Sequence, residues 1–359
     1  MRLQIDGEEA VESTTRWPSN TPGRRQLSTV ARGLACPLPR YAATGVSMSA
    51  QIELRELPGD FGAVEVLGVT PEVAILGDEI RSTLRTALAR SAVLCLRQPE
   101  ALGDDGLRSI AQIFGRIKDP IGITEDGGTL RYSEERQVVD AGFVLTEELR
   151  AELGDLSFGG LDAQRPGLFE TFHTDDSYTE QPAATTVLHA RELPRGGGGP
   201  TWFLDMRVAY RTLDRALRGR ILGLRALNRY NNGGAFPPRL SAEGPFEALV
   251  DVSHPIVRAH PMTGSPALYI DLDRATSIDG MEEAEGRVLL SFLQEHAEQK
   301  APRYAHRWRD HDVLVWDNAA VQHRGSGDFP VGEPRLFWRY MIEGPVPQSY
   351  RGEDEAAPD

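Results

Sequence analysis

Cysteine is nearly missing from this chain of 359 residues: only Cys36 and Cys95 occur. Two thiols cannot build a disulfide framework, so a cytoplasmic, reducing compartment is expected. Cys95 sits in the apolar run Ala92-Val93-Leu94-Cys95-Leu96 and reads as a buried thiol. No stretch approaches ~18 consecutive apolar residues, so no membrane-spanning helix is expected. Positive charge is also in deficit, with 39 Lys and Arg against 53 Asp and Glu, a formal net charge of -14. That argues against nonspecific partnership with nucleic acid or an anionic membrane, and leaves room only for a local basic pocket. The N-terminal region has no apolar core of a secretory signal. Gly196-Gly197-Gly198-Gly199-Pro200 contains no lysine and no helix signal follows it at once, so it reads as a turn between strands rather than a phosphate loop. No internal repeat is present.

What remains is a globular composition, 40% hydrophobic and 26% charged, long enough for a well-buried core. Residues 1–50 scatter arginines among Ser, Thr, Pro and Gly and are expected to be a disordered extension, with translation from Met48 as the alternative. Regular patterning starts at Gln51. Residues 62–67 alternate like a strand, 79–90 have helical spacing, 92–96 read as a buried strand, and Leu107, Ile110, Ile113 and Phe114 form a second helical stripe. Residues 121–170 show no sustained period, and acids there outnumber bases eleven to four. A long loop in a compact domain is usually a lid, a binding loop or disorder, and this one runs straight into His173, so a lid is expected. Strand signals follow at 185–190, 201–203, 256–258, 267–270, 313–316 and 337–341, with helices at about 207–223 and 282–299. Many spaced strands with a few helices on the flanks predict a mainly β fold with a jelly-roll (double-stranded β-helix) core over 51–347. Residues 348–359 form an acidic tail.

Two fragments carry the candidate chemistry. One is Phe172-His173-Thr174-Asp175; the other runs from Trp316-Asp317-Asn318 to Gln322-His323, followed by Arg335 and Arg339. In a strand, positions i and i+2 share a face, so His173 and Asp175 can grip one ion. Taken alone, His-x-Asp is more often a surface pair, and His323 more often a loop histidine hydrogen-bonded to backbone. Together, two imidazoles and one carboxylate leave three positions of a metal open, the arrangement non-haem Fe(II) oxygenases use. Arg335 and Arg339 share a strand face four residues apart, and a guanidinium there could hold a carboxylate co-substrate; two surface arginines are the plain alternative. Of the other histidines, His254 and His260 each precede proline and read as extended chain. His296 reads as exposed on a helix.

The order of these pieces resembles the taurine dioxygenase family of Fe(II)- and 2-oxoglutarate-dependent oxygenases, which includes chlorophenoxyacetate dioxygenase and alkylsulfatases. The resemblance runs from about Ile52 to Pro345. It rests on the His173–Asp175 motif, on Leu193-Pro194 through Gly199-Pro200-Thr201, on Phe203 to Tyr210, on His260-Pro261 before Leu268-Tyr269, on His311 to His323, and on Glu333-Pro334-Arg335 with Arg339. It implies that His173, Asp175 and His323 ligate iron. It further implies that Arg335 pairs with the distal carboxylate of 2-oxoglutarate, that Thr201 hydrogen-bonds the same group, and that Arg339 reaches a substrate anion or supports the site. The implied reaction uses molecular oxygen, converts 2-oxoglutarate to succinate and carbon dioxide, and hydroxylates a C–H bond of a small organic acid or amino-acid-like molecule, with desaturation or C–heteroatom cleavage as other outcomes. Because Asp175 is present, no ligand position is vacated for halide, which speaks against halogenation. The stretch from Asp119-Pro120 to His173 looks longer than in taurine-using members, so their substrate does not carry over. Asn228 to Arg239 could form pocket wall or a surface loop. A metal-dependent hydrolase at the same triad, or a non-catalytic jelly-roll binding protein, are the competing readings. Homo-oligomerisation is left open.

Overall fold

Residues 64–67 and 93–96 lie side by side as the only parallel neighbours among the described strands, and everything else in the sheets pairs antiparallel. The structure, a computed structural model, describes residues 52–72, 77–118, 131–132, 139–144, 171–230 and 251–352. They fall within one compact unit, Val46–Asp359. In chain order the elements are β1 Glu53–Glu56, β2 Val64–Leu67, α1 Asp78–Ser91, β3 Val93–Leu96, α2 Asp104–Phe114, β4 Arg131–Tyr132, β5 Val139–Val144, β6 Thr185–Glu192 and β7 Thr201–Asp205. There follow α3 Met206–Arg211, α4 Arg215–Ile221, β8 Arg225–Asn228, β9 Val252–Pro255, β10 Val257–Ala259, β11 Pro266–Leu268 and β12 Ala275–Ile278. The last are α5 Glu283–Lys300, β13 Arg303–His306, β14 Val313–Asp317, β15 Val321–Arg324 and β16 Pro334–Ile342.

Eight strands form a large sheet in the order β1-β2-β3-β14-β6-β16-β5-β4, and β13-β7-β15 form a smaller one. The two share an apolar filling: Leu188, Leu314, Trp316 and Phe337 from the large sheet meet Phe203 and Val321 from the small one. Strand alternation sends the intervening residues outward. Val187, Val313, Val315 and Tyr340 pack beneath α1 and α2 through Leu84, Leu88, Leu107 and Ile110. Leu204 packs on the other side against Leu289, Leu290 and Leu293 of α5 and Tyr210 of α3. This is the mainly β, helix-flanked double-sheet core expected from the sequence. Its interior is lined by alternate residues of β6, β7, β14, β15 and β16; of the candidate residues, Thr201, His323, Arg335 and Arg339 stand on those strands, while His173 and Asp175 lie just before β6.

Three local expectations need correction. The single helix expected at 207–223 is two, because Asp214 turns the chain and caps α4 by accepting from Leu217 N at 2.8 Å. The segment expected to be a long loop without period contributes β4 and β5, and β5 pairs with β16 from Pro334↔Val144 to Arg339↔Val139; cross-strand pairing at that distance leaves no helical or turn signature to read. The remainder of 121–170, like residues 1–50 and 353–359, lies outside the described residues. His296 is half-buried rather than exposed, held against the Ala209 carbonyl at 3.2 Å and the Thr212 hydroxyl at 3.0 Å.

Candidate metal centre

His323 belongs to β15, not to a loop. Pairing of β15 with β7 runs Val321↔Asp205 to Arg324↔Trp202, so His323 faces inward beside Phe203. His173 joins it through a single antiparallel bridge: His173 N–H donates to the His323 carbonyl at 3.0 Å, and His323 N–H returns the bond at 2.9 Å. Residues directly opposite in such a pair present side chains to one face, and the two rings lie 4.4 Å apart. Asp175 follows two positions later on that face, before the chain turns through a positive φ of 57° at Asp176. One ligand atom from each of His173, Asp175 and His323 lies within 4.8 Å of the others.

The surroundings set their protonation. Burial pushes His323 down to about 3, so its imidazole is neutral. Its Nδ1 is buried with no hydrogen-bond partner among the described residues, and its Nε2 faces Asp175 Oδ2 across 3.7 Å, too far for a hydrogen bond. Burial pushes Asp175 up, but the opposing pull of His323, Arg339, His173 and the Thr186 hydroxyl prevails and brings it to about 2. The Thr186 hydroxyl donates to Asp175 Oδ2 at 2.5 Å, while accepting from Asn318 Nδ2 at 3.0 Å; Asn318 Oδ1 in turn accepts from the Trp316 indole at 3.0 Å. His173 Nδ1 lies 3.1 Å from the Thr171 carbonyl, a contact in which Nδ1 donates and which leaves Nε2 as the nitrogen able to face a metal. Neutral imidazoles beside an ionised carboxylate are the forms a divalent metal requires. An imidazole buried with no hydrogen bond at either nitrogen is what a metal would satisfy. These residues fit a metal with open positions.

A second cluster, Cys95, His306 and Asp312, is as compact but is already saturated. Asp312 Oδ2 takes Arg97 Nη1 at 2.5 Å, His306 Nε2 at 3.2 Å and Arg309 N–H at 2.9 Å, and the Tyr304 hydroxyl meets His306 Nδ1 at 2.9 Å. Burial pushes the Cys95 thiol up, away from the thiolate a metal needs. Its role is structural, locking β3 to β13 and β14.

Arg335 and Arg339 both project inward from β16, on either side of Phe337. Arg335 is 9% exposed. Its Nε donates to the Gly199 carbonyl at 2.8 Å and its Nη2 to the Thr201 hydroxyl at 3.1 Å, and among the described residues it forms no ion pair. Burial lowers it to about 10, partly offset by the nearby Asp328 charge. Gly199 has φ +61°, and a Cβ there would stand 2.8 Å from Arg335 Cδ and Nε, so the glycine turn is shaped to admit the guanidinium. Thr201 Oγ1 accepts from Arg335 and also from the Trp308 indole at 3.1 Å. With both acceptor sites used, the hydroxyl proton remains to be donated. Arg339 reaches Asp175 Oδ1 at 3.7 Å through Nη1, while its Nε is buried with no hydrogen bond among the described residues. The site thus offers a triad able to hold a metal, a buried cation with an adjacent hydroxyl donor, and a second cation beside the triad.

The six residues expected from the sequence are therefore all on the inner faces. Sequence reasoning missed Thr186, Trp308 and the part played by His260, whose Nε2 meets Asp317 Oδ2 at 2.7 Å and pins the turn before β15. Only the inward parity of Thr186 with Leu188 and Ala190 gave a signal. Of the segment Asn228–Arg239, Tyr230 stands 4.9 Å from the Tyr178 ring, with Arg274 over both rings at 4.9 and 5.0 Å; residues 231–239 lie outside the described residues.

Comparison with known proteins bears on this arrangement. A family model described as "Taurine catabolism dioxygenase TauD, TfdA family" matches residues 53–341. The chain is 32% identical over 300 residues to the alpha-ketoglutarate-dependent 2,4-dichlorophenoxyacetate dioxygenase of Cupriavidus pinatubonensis, covering 81% of this chain and 91% of that protein. It is 26% identical over 318 residues to an alkylsulfatase of Acinetobacter baylyi, covering 84% and 88%. The crystal structure of AAD-2 in complex with Mn(II) and N-oxalylglycine superposes with a TM-score of 0.63 at 24% identity, covering 83% of this chain and 99% of that one. Among the described residues no helix is long and apolar enough to cross a membrane.

Proposed function

Since the chain belongs to the TauD/TfdA family, we propose which of its residues perform the family's chemistry and what they act on. The chain is a 2-oxoglutarate-dependent non-haem iron dioxygenase, requiring Fe(II), 2-oxoglutarate and oxygen. In our reading His173, Asp175 and His323 hold the Fe(II). Bound there, the iron supplies oxygen activation coupled to conversion of 2-oxoglutarate to succinate and carbon dioxide, with oxidation of a substrate C–H bond.

The protein's own residues prepare that chemistry. Arg335 and the unspent Thr201 proton receive the distal carboxylate of 2-oxoglutarate, a charge-assisted contact in a buried setting. Gly199 keeps the guanidinium edge clear. Thr186 and Asn318 hold Asp175 ionised and oriented. Trp316 and Phe203, 4.6 and 6.1 Å from the His323 ring, exclude water from that side.

The observation that carries the assignment is the Arg335 cation, without an ion pair among the described residues, sharing one interior with a triad whose His323 imidazole has no hydrogen bond among those residues. A hydrolase centred on the same triad gives Arg335 nothing to do, and the family displaces that reading. The substrate is a small organic acid or amino-acid-like anion, because Arg339 brings a second guanidinium beside the triad, its Nη1 3.7 Å from Asp175 Oδ1 and its Nε buried without a hydrogen bond among the described residues. The reaction is hydroxylation; where the oxidised carbon carries an oxygen substituent, the hydroxylated product collapses and the C–O bond breaks. The relatives named for an aryloxyacetate and for alkyl sulfates favour including such substrates. A succinate-release screen over carboxylates, sulfonates, sulfate esters and amino acids tests this. Anions should couple and their neutral amides or esters should not; equal succinate release from neutral analogues would remove the anion requirement.

A further inference from the structure

We propose that the outer end of the small sheet carries a second ligand site, for a planar aromatic anion, separate from the metal centre. A cleft of about 690 Å³ opens there between the glycine turn after β6 and the segment joining β13 to β14. That volume falls within the range of small-molecule sites, roughly 300–1,000 Å³. Strand parity decides which side it faces. Phe203 and Thr201 of β7 point inward, so Trp202 points outward; on β13 Ala305 is the outward residue paired with Trp202. Both Trp202 and Ala305 line the cleft. It therefore lies on the opposite face of the sheet from His323.

Trp308 closes its inner end. That indole packs on Phe337 at 4.6 Å and donates to Thr201, leaving one edge to the cleft. Two tryptophans in one concavity give a ring a broad apolar surface to stack on. Around them stand three exposed arginines, Arg195, Arg307 and Arg309, none of which forms an ion pair among the described residues. Two carboxylates share the rim. One, Asp328, is turned to the Gly199 N–H at 2.9 Å and the Ser326 hydroxyl at 2.5 Å; the other is Asp310. In a chain of net charge -14, a concavity with three guanidiniums against two carboxylates is a local basic site. Guanidinium forks match carboxylate and phosphate oxygens, and the indoles match a flat ring. The ligand class that uses both is an aromatic carboxylate or an aromatic phosphate ester.

The test uses the full-length protein and its intrinsic tryptophan fluorescence, since two of its five tryptophans border the cleft. It is titrated with benzene-1,3-dicarboxylate and with adenosine monophosphate, which separate the two anion sources, and with adenosine and benzyl alcohol as uncharged controls, all under saturating 2-oxoglutarate. Saturable quenching by at least one anion is expected, with Kd raised tenfold or more in the Arg307→Gln, Arg309→Gln double variant. Both side chains are exposed, so that variant should keep its circular dichroism spectrum. The proposal fails if neither anion quenches saturably or if the uncharged controls quench equally. It fails too if the double variant binds as tightly as wild type, or if a parallel titration without 2-oxoglutarate gives a Kd tenfold or more lower, which would place the probe at Arg335.

Discussion

Replacing Arg335 by methionine removes a charge while keeping a long apolar stem, and the structure sets opposite expectations for folding and for ligand binding. Burial lowers the guanidinium from its ordinary value to about 10, which corresponds to roughly 3 kcal/mol opposing folding. The sign follows from its being a base: the cost is full below pH 10 and is relieved only as pH rises past that value. Methionine removes the cost, but leaves the Gly199 carbonyl and Thr201 hydroxyl short of one donor each, at roughly 1–3 kcal/mol per group. The two effects nearly cancel, so the unligated variant should be within about 2 kcal/mol of wild type by urea denaturation. Binding has no such cancellation. Loss of a buried charge-assisted pair costs roughly 2–5 kcal/mol, which is about 30-fold to several thousand-fold in 2-oxoglutarate affinity. Anaerobic titration with Fe(II) present reads that ratio. An affinity within threefold of wild type refutes the placement of the co-substrate. A variant destabilised by far more than the predicted 2 kcal/mol makes Arg335 a structural ion instead.

Other perturbations are expected to separate in the same way. Thr186→Val removes the hydroxyl donor to Asp175 and should weaken Fe(II) or Co(II) binding by roughly 10–100-fold, read by metal titration, with little change in the unfolding midpoint. Gly199→Ala forces a Cβ against Arg335 at a positive φ and should raise KM for 2-oxoglutarate in steady-state assays; an unchanged KM would show that the turn can yield. His260→Ala strips Asp317 of its 2.7 Å partner in a buried turn and should cost roughly 1–3 kcal/mol of stability, measured by urea denaturation. Burial lowers His189 to about 4, and its Nε2 accepts from the Leu102 N–H at 3.1 Å. Below pH 6.5 the unfolded chain takes up a proton that the folded one refuses until about 4, so stability should fall as pH drops through that window, and His189→Gln should flatten the slope.

Much of this was readable from local pattern. Thr185–Ala190 and Val313–Trp316 announce themselves as buried strands because β-branched and apolar residues run together, and α5 because Leu289, Leu290 and Leu293 recur at helical spacing. Strand parity even carries Arg335 and Arg339 to one face. What local pattern does not carry is partnership across long separations. The bridge between His173 and His323 joins residues 150 positions apart, and nothing near either one predicts it. The same holds for β5, whose pairing with β16 lies inside a segment without period, and for β9 and β13, short and interrupted by proline or charge. Thr186 looked like any strand threonine until Asp175 was placed opposite it. Trp308 lies outside every strand and shows its purpose only once Thr201 is within reach of its indole.

The central claim, that His173, Asp175 and His323 hold iron with 2-oxoglutarate beside Arg335, is tested most directly by adding Fe(II) and 2-oxoglutarate in the absence of oxygen. The account predicts a weak visible charge-transfer band in the wild-type protein that is lost in His173→Ala. No band in the wild type, or the same band in the variant, would contradict it.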